Sequence, residues 1–311
     1  MNQDVLDLFS RADSPQAALR NRVLLLRSVE SLQGLDEQGL TLFAEHATNR
    51  FYRKGDVLTT EDEQPRAIGI VIEGQVTVTR TGKPGYVARR GEGFGMLAVM
   101  ASTTTGRVVA DIDTVTLEIP VATFRVALEE NFSLLRNCLR IMGTTLTRAR
   151  HHLPADPSNP PSVDLGDYYV RPRTLPEQLI QLRRGPFHQM NVEALVDLTR
   201  RMKERRVPAG HVFWSAGEPS TFALHVEYGR VRCTAPDGQH VDVGHDFTLG
   251  VMDVWSGQPR SYEARAETPI IAYHIDYEDF LVIIEMHVSV GLDMLRGIAR
   301  QYLATDKSEL G

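Results

Sequence analysis

The sequence predicts a mainly β fold with flanking α: two tandem jelly-roll-like β-rolls, each with N-terminal and C-terminal helices. Three observations predict it: the chain repeats itself, each repeat breaks into many short β-branched runs, and each repeat closes on a single apolar helical seam. Shifting the chain by 155 positions lays Leu40, Arg50, Gly55, Val57, Glu63, Val71, Gly74, Val76 and Val99 on Leu195, Arg205, Gly210, Val212, Glu218, Val226, Gly229, Val231 and Val254 without a gap. After one inserted residue the shift becomes 156, and Ile119, Phe124, Val126, Glu129, Ser133, Leu139 and Arg140 meet Ile275, Phe280, Val282, Glu285, Ser289, Leu295 and Arg296. A period this long is a whole domain rather than a solenoid unit.

Each element follows from local pattern. Leu35, Leu40, Leu42 and Phe43 carry helical periodicity across 32–47, as do Met190, Val192, Leu195, Val196 and Leu198 across 187–202. Strands follow: β-branched runs flank the turn Glu73-Gly74 within 68–79, and 223–234 repeats this around Tyr228-Gly229. Turns at Lys54-Gly55-Asp56, Thr81-Gly82-Lys83 and Pro236-Asp237-Gly238 keep the strands short, which points to a roll or sandwich. Phe132, Leu135, Leu139, Met142 and Leu146, then Val288, Gly291, Leu295, Ile298 and Tyr302, step by three and four along the closing helices. Pro154, Pro157, Pro160, Pro161 and Pro172 mark a linker. The expected division is an N-terminal helical extension at 1–20, a first domain at 21–153, the Pro-rich linker at 154–174 and a second domain at 175–311, with its first helix resuming near Leu175.

Composition excludes several classes. With 311 residues, 42% hydrophobic and 24% charged, the chain has an ordinary globular mixture that needs no metal or staple to fold. A net charge of -6 argues against non-specific nucleic-acid binding. Cys138 and Cys233 are the only cysteines, too few for a disulfide framework or a four-cysteine zinc site. Met1 to Ser10 is no secretory leader, and no run approaches about 18 apolar residues, so a cytoplasmic protein away from membranes is expected. His240 and His245 stand five apart and His151-His152 sit at a domain exit, so no metal set emerges. The run from Arg200 to Arg206 reads as a solvated face at a helix end. Nucleophile and phosphate-loop motifs are lacking, and no enzyme is expected.

Three segments carry a family resemblance. Tyr52 to Leu58, the hairpin Ile70-Val-Ile-Glu-Gly-Gln-Val76 and the stretch Gly91-Glu-Gly-Phe-Gly-Met-Leu-Ala98 are similar to the cyclic nucleotide-binding domain of the catabolite activator and protein kinase A regulatory-subunit family. Pro208 to Phe213, Leu224 to Val231 and Phe247 to Ala266 are their counterparts in the second copy. The resemblance implies a phosphate-binding cassette, "F-G-E-L-A" followed by "P-R-x-A". In it backbone N–H groups and an arginine hold the cyclic phosphate and a glutamate accepts the ribose 2′-hydroxyl.

Matched position by position, the cassette keeps Gly95, Leu97 and Ala98 in the first copy and Gly250 and Arg260 in the second; these are the candidate binding residues. Met96 and Val251 stand where the ribose acid belongs, and Thr105 takes the first arginine's place, with Arg107 two positions late. A methionine offers no useful acceptor, and a buried phosphate without a cation is costly. Arg260 is expected either on an anion or in an ion pair with Asp253 or Glu263. The resulting expectation is a non-enzymatic regulatory or scaffold protein that needs no cofactor and works by protein contacts with an unidentified partner. The alternatives are a cyclic nucleotide sensor using the second domain and a self-assembling subunit. No helix-turn-helix reader of DNA is expected after Tyr302. The terminal seams either cover their own strands or form a dimer or an intrachain pseudo-dimer.

Overall fold

A computed structural model describes residues 15–29, 32–81, 83–149, 153–154, 174–184, 187 and 190–304. The first repeat opens with α1 (Pro15–Arg27) and α2 (Glu37–His46). The second of these starts at Glu37, inside the expected span, because Asp36 caps it by accepting the Gly39 N–H at 2.8 Å. Strands β1 (Thr48–Tyr52), β2 (Val57–Thr59), β3 (Ala67–Glu73), β4 (Gln75–Arg80), β5 (Lys83–Arg89) and β6 (Gly93–Phe94) lead to the short helix α3 (Met96–Ala101). Then come β7 (Arg107–Ala110), β8 (Thr114–Pro120), α4 (Val121–Glu130) and α5 (Phe132–Ala149). The strands form two antiparallel sheets, ordered β1-β8-β3-β6 and β2-β7-β4-β5.

The second repeat copies the order. After α6 (Leu175–Arg184), α7 (Val192–Arg201) is capped by Asn191, which accepts the Ala194 N–H at 2.8 Å. There follow β9 (Lys203–Val207), β10 (Val212–Trp214), β11 (Phe222–Tyr228), β12 (Val231–Thr234), β13 (His240–Val243), β14 (Phe247–Leu249) and α8 (Val251–Ser256). The repeat ends in β15 (Glu263–Ala266), β16 (Ile270–Asp276), α9 (Tyr277–Met286) and α10 (Val288–Ala304). Its sheets run β14-β11-β16-β9 and β10-β15-β12-β13. Trp214, Leu224, Val226, Val231, Leu249 and Tyr262 are buried together in its core, while Val71, Val76, Ala88, Phe94 and Val108 form a smaller cluster in the first repeat.

The expected mainly β rolls are corrected by this arrangement. About 42% of the described residues are helical against 30% in strands, and the sheets are open and uncurled, each with two unpaired edges. Among the helices that add to this are α4 and α9, which bury Phe124, Ala127 and Leu128, and Phe280, Ile283 and Ile284. Residues 1–14 and 155–173, which hold most of the expected extension and linker, lie outside the described residues.

The chain divides into two compact units, one of residues 1–141 with 294–311 and one of residues 142–293. Residues 142–149 of α5 therefore belong with the second repeat, and 294–304 of α10 with the first. Within the second unit, a Cβ at Gly143 would lie 3.2 Å from both Trp255 Cβ and Ser256 N, so α5 packs tightly on α8 here. In the first unit Arg300 donates from Nε to the Ala101 carbonyl at 3.0 Å, at the end of α3. The seam residues Leu135, Leu139, Met142, Leu146, Leu295 and Ile298 are all buried.

Gly229 shows how tightly the hairpins are specified. Its φ is +91°, and an added Cβ would fall 2.3 Å from the Pro269 carbonyl; Gly238 has φ +87° but nothing within 4 Å. Gly229→Ala is therefore expected to cost about 3 kcal/mol and Gly238→Ala about 1 kcal/mol, since only the first adds overpacking to left-handed strain. Urea denaturation of the two variants measures the difference.

Candidate functional site

The two cassettes share one backbone. Gly95 (φ +83°) and Gly250 (φ +74°) turn the chain left-handed into α3 and α8, and Met96 and Val251 are the first residues of those helices. Upstream of the second cassette, the Gly217 N–H donates to the Arg260 carbonyl at 2.8 Å and the Arg260 N–H donates to the Glu218 carbonyl at 2.8 Å. In the first, Asp62 donates to the Thr105 carbonyl and Thr105 to the Glu63 carbonyl, at 3.4 and 2.8 Å. Thr105 is thus the spatial counterpart of Arg260, as the ungapped repeat predicts, and Arg107 opens β7 as an exposed residue.

Side chains then make the two sites different. Thr105 is 4% exposed and spends its hydroxyl proton locally, with the carbonyls of Thr60 and Glu63 at 2.9 and 3.2 Å. Leu97 is half-buried and Ala98 buried, so the first cassette presents apolar side chains and no cation at the matched positions. Arg260 is 2% exposed. Its guanidinium lies over the Trp214 ring, 4.0 Å from the centroid, and 4.8 Å from that of Phe222. One terminal nitrogen donates to the Phe222 carbonyl and the other approaches the Gly250 carbonyl at 3.5 Å. A Cβ at position 250 would fall 2.2 Å from that nitrogen, so the guanidinium lies where a side chain at this position would displace it.

The expected ion pair is not formed. Among the described residues no carboxylate lies within ion-pairing distance of Arg260; Asp253 instead accepts from the Ser261 hydroxyl at 3.0 Å, and Glu263 pairs with Arg265 at 2.9 Å. Burial pulls the Arg260 guanidinium below its ordinary range, with Tyr262, Asp253 and Glu218 opposing it. Arg260 Nε, Trp214 Nε1 and Ser220 Oγ are buried polar atoms without a hydrogen-bond partner. A cavity of about 690 Å³ adjoins Arg260, lined also by Thr144, Thr147, Gly217, Gln258 and Ser261. Its volume suits a nucleotide-sized ligand. These residues fit a phosphate group, which would supply the missing acceptors; with Val251 in the acid's place they offer nothing equivalent to the ribose glutamate.

A family model described as the cyclic nucleotide-binding domain matches residues 49–131 and 204–287, together more than half of the chain. The chain belongs to the cyclic nucleotide-binding domain family. It is 31% identical over 97 residues to a cyclic nucleotide-gated potassium channel of Mesorhizobium japonicum, a match covering 31% of this chain and 27% of the channel. It is 25% identical over 134 residues to a CRP-like cAMP-activated global transcriptional regulator of Mycobacterium tuberculosis, covering 42% and 60%. The chain thus spans about a quarter of the length of the channel it matches. Among solved structures, the regulatory domain of Toxoplasma gondii PKA with cAMP covers 93% of this chain and 99% of its own at 14% identity and a TM-score of 0.37.

Other sequence candidates resolve into structure. Arg201 pairs with Asp279 at 3.0 Å, Lys203 with Asp276 and Arg206 with Glu204 at 2.6 Å, so much of the basic run is neutralised. No group of three or more His, Cys, Asp or Glu among the described residues is placed to hold a metal, and no described helix is long and apolar enough to cross a membrane. Both cysteines of this cyclic nucleotide-binding domain protein are buried, and burial pushes the Cys138 thiol up to about 12.

Alternation along β11 hid another feature. Leu224 and Val226 face the core, so His225 and Glu227 read as outward residues, yet they are 0% and 2% exposed. Phe187 meets the His225 ring edge-on at 5.4 Å, and Tyr273 lies parallel to it at 6.4 Å. His225 Nδ1 is 3.0 Å from the Thr248 hydroxyl, while Nε2 is buried without a partner. Burial first, and His245 second, drive its pKa down to about 3. The unfolded chain takes up this proton near pH 6.5 and the folded one refuses it, so stability falls as pH drops from about 6.5 toward 3. The loss between pH 7 and 4 is about 3 kcal/mol from this group. His225→Ile, the residue type of the first copy's Ile70, is expected to flatten that acid limb in denaturation curves taken at the two pH values.

Proposed function

We propose that the chain is a non-enzymatic, ligand-responsive regulatory protein in which the second domain binds a cyclic nucleoside monophosphate through Arg260 and the first domain serves as its structural partner. One observation carries this reading: a buried arginine in the wall of a cavity, with an unpartnered Nε and no described carboxylate in ion-pairing distance. A cation in this position is stabilised by an incoming anion more than by any neighbour it now has. Membership of the cyclic nucleotide-binding domain family, and relatives named for cyclic nucleotide gating and cAMP activation, support the ligand class. The expectation of protein contacts alone therefore yields to ligand binding, with protein contacts as the output.

Two domains at 21–153 and 175–311, acting in the cytoplasm and pairing through α5 and α10, complete the proposal. Gly95, Leu97 and Ala98 are retained for the turn and packing of their cassette, and Gly250 for admitting Arg260. Isothermal calorimetry with cyclic AMP and cyclic GMP tests the reading. Wild-type protein and Thr105→Ala should bind one of them alike, while Arg260→Ala should weaken binding roughly a hundredfold or more, the effect of losing a buried charged partner. Binding that survives Arg260→Ala in a folded protein, or that vanishes with Thr105→Ala, overturns it.

A further inference from the structure

We propose that Tyr262 is an internal plug of the second domain's ligand site: its hydroxyl occupies the Gly250 N–H in the free protein, and an anionic ligand displaces it to reach Arg260. The inference rests on the reading of Arg260 as the phosphate ligand.

Register locates the residue that distinguishes the copies. The hydrogen bonds of Thr105 and Arg260 match at a shift of 155, while Thr79 opposite Arg107 and Thr234 opposite Glu263 put β7 and β15 at 156. The single inserted residue thus lies between Arg260 and Glu263, where Ser261-Tyr262 replaces Gly106. In the first copy a Cβ on Gly106 would fall 2.5 Å from the Thr79 carbonyl, which leaves no room for a side chain. A phenol at this place therefore exists only in the copy that keeps the arginine.

Geometry places the phenol beside the Arg260 guanidinium. Tyr262 is 5% exposed, and its hydroxyl oxygen accepts the Gly250 N–H at 3.1 Å. Its ring centroid is 5.9 Å from that of Trp214, the ring beneath the Arg260 guanidinium. Phenol, indole, guanidinium and the left-handed glycine thus adjoin one another. Burial raises the phenol's pKa well above its ordinary value, so it stays a neutral hydroxyl. A phosphate oxygen is the stronger acceptor for the same N–H and brings a charge for the arginine, so it can win the exchange. The exchange still costs affinity, because the displaced hydroxyl loses its partner in a buried place. The plug disfavours neutral ligands, which have no such advantage.

Calorimetry with cyclic AMP on wild type, Tyr262→Phe, Arg260→Ala and Arg260→Ala/Tyr262→Phe tests this, with thermal denaturation establishing that each variant folds. Tyr262→Phe keeps the ring and removes the competing acceptor, so it should bind about tenfold more tightly than wild type, the worth of one net hydrogen bond. The double variant should not bind. Equal or weaker binding by Tyr262→Phe, with wild-type binding intact and lost on Arg260→Ala, overturns the plug and leaves the arginine reading standing. No uptake by wild type or Tyr262→Phe overturns the arginine reading, and the plug with it.

Discussion

A buried guanidinium has to be held by something, and much of the second repeat's local structure follows from how Arg260 is held. With no described carboxylate in ion-pairing distance, it rests on the faces of Trp214 and Phe222 and on the carbonyls of Phe222 and Gly250. Each of these requires something of the sequence. The ring beneath it is Trp214 where the first copy has Thr59, and a side chain at residue 250 would crowd the guanidinium where it now lies. Dispersed partners of this kind stabilise a cation less than a phosphate does, which is the physical basis of the proposed anion site.

The same scaffold without the arginine shows what the backbone alone requires. Around Thr105 the chain keeps the two backbone hydrogen bonds and the left-handed turn at Asp62 (φ 74°), matching Gly217 (φ 87°), and the threonine hydroxyl satisfies itself on local carbonyls. The loop geometry is thus a property of the fold, kept whether or not a ligand can bind. Retained cassette glycines are consequently weak evidence for binding, and the side chain at position 105 or 260 is strong evidence.

Much of this was legible in the sequence, for identifiable reasons. The repeat, the hairpin glycines Gly74 and Gly229, the helical seams and the identity of Thr105 and Arg260 all follow from spacing, and spacing is what a linear sequence records. Open sheets under helices such as α4 and α9 were read as rolls, because short strands alone do not say how far a sheet curls or what covers it. Tyr262 and His225 were missed for another reason. Tyr262 acquires meaning only from strand register, which places the inserted residue beside Arg260. His225 and Glu227 sit at the outward positions of an alternating strand, and only a second layer, marked by the Phe187 ring, makes them interior.

The asymmetry between the copies has a thermodynamic direction. Among the described residues, the buried charged or titratable polar groups His225, Glu227, Asp253 and Arg260 all lie in the second copy, while the first buries only the threonines Thr105, Thr114 and Thr116. At the positions of His225, Glu227 and Tyr273 the first copy has Ile70, Ile72 and Leu117, all apolar and buried. Apolar side chains fill such places at lower cost than polar ones. The second copy therefore buries the groups that are more costly to bury. A ligand that binds only the folded form adds stability that grows with the logarithm of its concentration above Kd. In this tandem protein the proposed anion at Arg260 would add that stability to the second copy, the one that buries the more charged and polar groups.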